Sequence, residues 1–212
     1  MEYIELNESR KSVRYFDPER QVDEDTVRKI IEQAMMAPSS YNMQPWQFLV
    51  LRDPANKQKL RALAYDQSQV TDASVAVMIL GYKDPSAEYI DRVFADWPAK
   101  GYMPQEAVTQ TTERLKSNFA GMTEDQKILW ATRSCNLAGM NLMLAAQNFG
   151  VDSGSLEGFD YNGCVETFKI PKEYYPIMLV VLGHKADIEE QTERKMRFGF
   201  EEKVWLDEVP TS

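Results

Sequence analysis

TEDQKILWATRSCNLAGMNLMLAAQNFG, residues 123–150, is the stretch that decides how the chain is layered. Thr123 and Gln126 have the spacing of a capping box, in which each side chain serves the other's backbone N–H at a helix start. Gly150 stands after the last apolar position and suits the left-handed residue that ends a helix. The spacing predicts one helix running to Phe149. Its second half, Cys135 to Ala146, is apolar nearly all round. A helix apolar on every side belongs at the centre of a fold or at a subunit interface.

Working outward, Asp23 is placed to cap a helix running to about Ala37. Val27, Ile30, Ile31, Ala34 and Met35 fall on one face of it. Trp46 to Leu51 reads as a strand closed by Asp53-Pro54, with a short helix after it at about Asn56 to Ala64. Val75 to Leu80 and Tyr174 to Gly183 are apolar runs of the kind expected of strands buried on both faces. Residues 84–122 are polar and broken at Trp97-Pro98, Gly101 and Met103-Pro104. They predict helical pieces in an excursion from the core, within a single domain covering 1–212. The tail, 186–212, is charged, with one apolar-alternating piece from Phe200 to Leu206. It cannot bury itself, so it is expected to fray or to lie on a partner chain. Strands alternating with helices indicate a mixed α/β or α+β layer fold, and spacing alone does not choose between them.

Composition removes several functions. The 212 residues carry 24 Lys and Arg against 33 Asp and Glu, a net charge of −9. With a pI near 4.8 and no basic run, no nucleic-acid partner is expected. No apolar stretch reaches the roughly 18 residues of a membrane span, so no membrane partner is expected either. The acidic start, Met-Glu-Tyr-Ile-Glu, is unlike a signal peptide. Cys135 and Cys164 are too far apart for a CxxC motif, and one histidine, His184, leaves too few ligands for a structural zinc. The expectation is a cytoplasmic protein with reduced thiols and no bound metal.

Four clusters could carry chemistry. Arg10-Lys11-Ser12-Val13-Arg14 puts three cations and a hydroxyl in five residues, a donor set that matches a phosphate. Ala37-Pro-Ser-Ser-Tyr-Asn-Met-Gln-Pro-Trp46 is a rigid, donor-rich loop suited to the edge of a polar heterocycle. Gly154-Ser-Leu-Glu-Gly158 allows close backbone approach, and reads equally as a loop between helix and strand. Arg194-Lys-Met-Arg197 places Lys195 and Arg197 on one side of an extended segment. Each taken alone also reads as an ordinary turn, loop or solvated tail. No G-x-G-x-x-G or P-loop pattern occurs anywhere.

Taken together and in this order, the clusters resemble the nitroreductase family of FMN-dependent NAD(P)H oxidoreductases over essentially the whole chain. Tyr65 to Ser74 and Gly101 to Glu106 look most like the small bacterial members. The resemblance implies an α+β sandwich, with a central, mostly antiparallel sheet flanked by helices, in an intertwined homodimer. It implies FMN at the dimer interface and NADH or NADPH as reductant. Arg10, Lys11, Ser12 and Arg14 would hold the phosphate and ribityl chain and reach the ring edge. Lys195 and Arg197 would close on the phosphate. Pro38, Ser39, Ser40 and Asn42 would come from the partner and line the ring. Leu156, Glu157 and Gly158 would sit against the central ring, with a backbone N–H near flavin N5. No side chain is required as catalytic acid, base or nucleophile; Arg14 and the Glu157 backbone would give electrostatic support. Asp66 and Gln69 would face the pyrimidine edge. Gln69 stands where several relatives carry lysine, Asp66 where many carry asparagine, and Ser155 where proline is common.

The implied reaction is ping-pong. Hydride passes from NAD(P)H to flavin N5, and a nitroaromatic, quinone or related small-molecule acceptor then takes the electrons. The same scaffold could instead reduce an activated C=C bond, or hold flavin without turnover. Four cations in the 84–122 segment, Arg92, Lys100, Arg114 and Lys116, are available to a nicotinamide 2′-phosphate.

Overall fold

The computed structural model describes residues 2–188 and 194–209, so the arm expected over 186–212 lies partly outside the described residues. Four strands form one sheet: β1 (Trp46–Leu51), β2 (Val75–Tyr82), β3 (Asp152–Leu156) and β4 (Tyr174–Gly183), in the order β1-β2-β4-β3. Every neighbouring pair is antiparallel, which settles the choice in favour of α+β.

The two central strands are buried on both faces, and alternation divides their side chains between two cores. Val75, Val77, Ile79, Val180 and Leu182 face α2 (Glu24–Ala34) and α7 (Glu124–Asn148). Ala76, Met78, Leu80, Leu179 and Val181 face the other way. There they meet Leu60 of α3 (Pro54–Leu63), Cys164 of α8 (Tyr161–Phe168), and Val13 and Phe16 of the N-terminal segment. A bulge opposite Ile79 and Leu80 leaves Ile177 without a ladder partner. It turns both Ile177 and Met178 onto the α7 side. A side chain at Gly139 of α7 would meet Met178 Sδ at 2.7 Å, so the glycine lets helix and sheet close together.

The capping box of α7 is formed. Gln126 N–H donates to Thr123 Oγ1 at 3.3 Å, and Thr123 N–H donates to Gln126 Oε1 at 2.9 Å. Ala131, Cys135, Ala138, Leu142 and Ala146 are fully buried, and Gly150 ends the helix with φ of 71°. The excursion forms α5 (Ala87–Phe94) and α6 (Gln105–Gly121), with a small core of their own. Phe94, Ile90, Leu115 and Phe119 pack there with Met43, and Trp130 of α7 joins its edge.

Several expectations need correction. The first long helix stops at Ala34, short of Ala37, and the next begins at Pro54. Residues 152–156 are a strand, so the Gly154 to Gly158 loop reduces to Glu157 and Gly158. Three helical elements carry no clear sequence signal: α1 (Tyr3–Ser9), α4 (Gln69–Asp72) and α8. In the tail, the alternating piece starts as a helical turn, α9 (Phe200–Lys203). Among the described residues, no helix is long and apolar enough to cross a membrane.

Candidate functional site

The edge of β3 receives the N-terminal segment. Val13 N–H donates to Ser153 O at 2.9 Å, and Ser12 pairs with Ser153 in a parallel bridge. Gly154 makes this possible, because a Cβ there would stand 2.4 Å from Val13 O, a backbone atom that cannot swing aside. Beside this junction lies a cleft of about 530 Å³. Three segments wall it: Ser12 to Tyr15, Gln67 to Gln69, and Ser155 to Gly158.

The third wall is tied to the second. Gln67 Nε2 donates to Gly158 O at 2.9 Å and to Ala64 O at 3.0 Å. Glu157 O accepts from Tyr161 Oη at 3.1 Å and from Phe159 N–H at 3.0 Å. Both peptide planes of the loop are thereby fixed. The second wall is gripped from α3. Lys57 Nζ, buried, donates to Thr71 O at 2.9 Å and Ala73 O at 2.6 Å, and Arg61 Nη1 donates to Thr71 Oγ1 at 3.1 Å.

Two residues before Ser12, cations gather. Arg194 Nη1 donates to Asn7 O and Glu8 O, 3.2 and 2.6 Å away, at the end of α1. Helix C-termini offer such carbonyls with partial negative charge, so an arginine is a fitting cap. This contact brings the 194–197 segment to Arg10. Burial, and then the charges of Arg194 and Arg197, lower the Arg10 pKa from its ordinary value. Arg10 Nε is buried with no hydrogen-bond partner among the described residues. A buried donor left unmatched is costly, and so are three guanidiniums brought together. An anion with several acceptor oxygens would answer both, so these residues could hold a phosphate-like group.

The loop after α2 is strained. Tyr41, Asn42 and Gln44 all have positive φ, at 53°, 55° and 44°. For residues other than glycine this conformation persists only when neighbours impose it. Here Gln44 N–H donates to Ser39 Oγ at 2.9 Å, Tyr89 Oη donates to Met43 O at 2.7 Å, and Arg114 reaches Tyr41 Oη at 3.4 Å. Asn42 and Gln44 line a second cleft of about 520 Å³, together with Trp46, Phe48 and Tyr89.

The expected site residues therefore divide. Ser12, Arg14, Gln69, Leu156, Glu157 and Gly158 line one cleft. Arg10 and Arg197 are brought together beside it in the chain, with Lys11 between Arg10 and Ser12. Lys195 is exposed, and its carbonyl accepts from Arg197 Nη1 at 3.0 Å. Pro38, Ser39, Ser40 and Asn42 belong to the strained loop and do not line this cleft. Asp66 does not line it either. Its side chain is 79% exposed and paired with Arg61 at 2.7 Å. Residues not singled out from the sequence join the site: Val13, Tyr15, Gln67 and Ser68 line the cleft, and Arg194 stands by Arg10. Arg194 lies in the quoted basic cluster, but its role depends on α1. Gln67 and Ser68 lie between Asp66 and Gln69 and carry no motif of their own.

The family model for the nitroreductase family matches residues 8–184, most of the chain and nearly all of these segments. The chain belongs to the nitroreductase family. Among its relatives in this family, YdgI of Bacillus subtilis, assigned by name to the NAD(P)H nitroreductases, is 34% identical over 188 residues. The match spans 88% of this chain and 90% of that one. The CLA biosynthesis enone reductase of Lactiplantibacillus plantarum is 31% identical over 186 residues, 84% of this chain and 83% of that one. The crystal structure of an Exiguobacterium sibiricum protein in complex with FMN is similar with a TM-score of 0.81 at 26% identity, and 97% of each chain is covered. The nitroreductase fold thus accounts for the antiparallel sheet and for the helices on both its faces.

Proposed function

We propose that this nitroreductase-family chain is an FMN-dependent oxidoreductase that passes electrons from NAD(P)H to a nitroaromatic, quinone or related acceptor. The observation that carries the reading is the arginine cluster. Arg10, with its buried unpartnered Nε, stands against Arg194 and Arg197, and the chain leads from there directly into the cleft wall at Ser12. The FMN-bound relative supports the identity of the anion.

FMN, when bound, supplies the hydride and electron chemistry between nicotinamide and acceptor. The residues of the chain bind and orient it. The cations hold the phosphate through charge-assisted hydrogen bonds, each contributing roughly 1.5–3 kcal/mol. Leu156, Glu157 and Gly158 form a rigid wall whose peptide planes are already fixed. Arg14 supplies positive charge where the reduced cofactor gains negative charge. Pro38, Ser39, Ser40 and Asn42 act on the cofactor of a second copy, which makes the active form a homodimer. The α5–α6 segment covers the acceptor and selects it by shape and stacking.

A second reading has an activated C=C bond as the acceptor. It is favoured by the 31% identity to an enone reductase. One experiment tests the reaction class. The visible spectrum of the FMN-loaded protein is recorded before and after anaerobic addition of NADH or NADPH. Loss of the oxidised flavin band is expected. A band that persists with both donors would leave a flavin-binding protein without turnover. Re-oxidation by a nitroarene, a quinone or an enone then separates the two acceptor readings.

A further inference from the structure

We propose that Gln67 is a positioning residue that fixes which end of the Gln69 side-chain amide faces the cleft, and thereby sets the reduction potential of the flavin held there. The inference rests on the FMN reading above.

Gln67 Nε2 donates to two backbone carbonyls, Ala64 O and Gly158 O. Carbonyls only accept, so both N–H groups of Gln67 are spent and its amide has a single orientation. Its Oε1 is then available as an acceptor, and Gln69 Nε2 donates to it at 3.1 Å. Reversing Gln69 would set oxygen against oxygen. The orientation of Gln69 is thus inherited from two carbonyls that it does not touch.

The consequence appears on the other side of the Gln69 amide. Its Oε1 lies 3.1 Å from the point where a Cβ of Gly154 would stand, and Val13 O lies 2.4 Å from that same point. Val13 and Gln69 both line the cleft. With its N–H end committed to Gln67, the end of the Gln69 amide left for a ligand is the oxygen, which suits a ligand edge bearing an N–H donor. A flavin held there would become electron-rich on reduction, and an amide oxygen turned to it would disfavour the added charge. Lys57 and Arg61 hold α4, so its backbone does not swing to relieve this.

The test is the midpoint potential of bound FMN in the wild type, Gln67→Met, Gln69→Leu and the double variant, with the FMN dissociation constant measured alongside. Gln67→Met frees the Gln69 amide to turn its N–H inward, so the potential is expected to rise. In the Gln69→Leu background the same change is expected to leave the potential where it was. No shift on Gln67→Met, or an equal shift in both backgrounds, would overturn the relay. If Gln67→Met does not fold, Gln67→Leu replaces it, with the same expectations: a raised potential beside Gln69, no change beside Gln69→Leu, and the relay overturned by any other pattern. A wild-type protein that takes up no FMN would remove the cofactor reading and this inference with it. That outcome is distinct from a relay that fails while flavin binds.

Discussion

Arg10 is the residue whose surroundings make least sense without a ligand. Its Nε is buried and unmatched among the described residues, and the charges of Arg194 and Arg197 lower its pKa after burial does. Replacing Arg10 and Arg197 together with alanine removes two mutually repelling groups from the apoprotein. The apoprotein's melting temperature should change little, while the rise that FMN gives the wild type should vanish. Thermal melts with and without FMN check this, and an undiminished FMN-induced rise would exclude the phosphate assignment. Gly154 is constrained by space. A Cβ there meets the Val13 carbonyl, so Gly154→Ala must push the N-terminal segment off β3. A stability loss of about 1–3 kcal/mol is expected, as for other overpacked sites, with weaker FMN binding beside it. Denaturant unfolding and a flavin titration would show both effects.

At the scale of elements, α7 organises the molecule and its start is set locally. Both hydrogen bonds of the capping box are made at an exposed position. Thr123→Ala should therefore cost about 1 kcal/mol, seen as a shifted denaturation midpoint with an unchanged slope. FMN affinity should not move, because no residue near Thr123 lines the cofactor cleft. The strong sequence signals were those of this kind. The capping box, the strand at 46–51 and the strand at 174–183 were readable because their patterns are local. Asp-Ser-Gly-Ser at 152–155 hid a strand, since small polar residues show neither an apolar run nor alternation. It is a strand because β4 offers it a ladder and the N-terminal segment covers its other edge.

In the whole molecule, one chain keeps the two sets of expected site residues apart. The cation cluster and one cleft lie with β3, while Asn42, at the end of the 38–42 loop, lines the other cleft. If each cofactor is completed by a second copy, a broken cradle and a broken loop should complement. One chain carries Arg10→Ala with Arg197→Ala, and the other carries Ser40→Trp. Neither homodimer should retain flavin. Co-expressed and differently tagged, the mixed dimers should hold one flavin each, measured by absorbance after tandem purification. Mixed dimers without flavin would assign the loop to the cofactor of its own chain, and a Ser40→Trp homodimer that keeps its flavin would place the loop outside the site.

The sequence by itself determined the family, the alternation of strands and helices, the long buried helix and the basic clusters. These depend on short-range pattern and on residue types in a fixed order. It also pointed to Arg10, Arg14, Gln69 and the 156–158 turn. Spacing left the strand directions open and the family resemblance implied a mostly antiparallel sheet; the tertiary structure makes every neighbouring pair antiparallel, because strand direction depends on where the chain returns. It alone turned Asp66 toward Arg61 and away from the cleft, since the pairing needs the left-handed turn at Tyr65 and Asp66. It brought Arg194 to Arg10 across the chain by way of the α1 carbonyls. It also set the Gln67–Gln69 relay, whose orientation comes from backbone carbonyls that no residue type encodes.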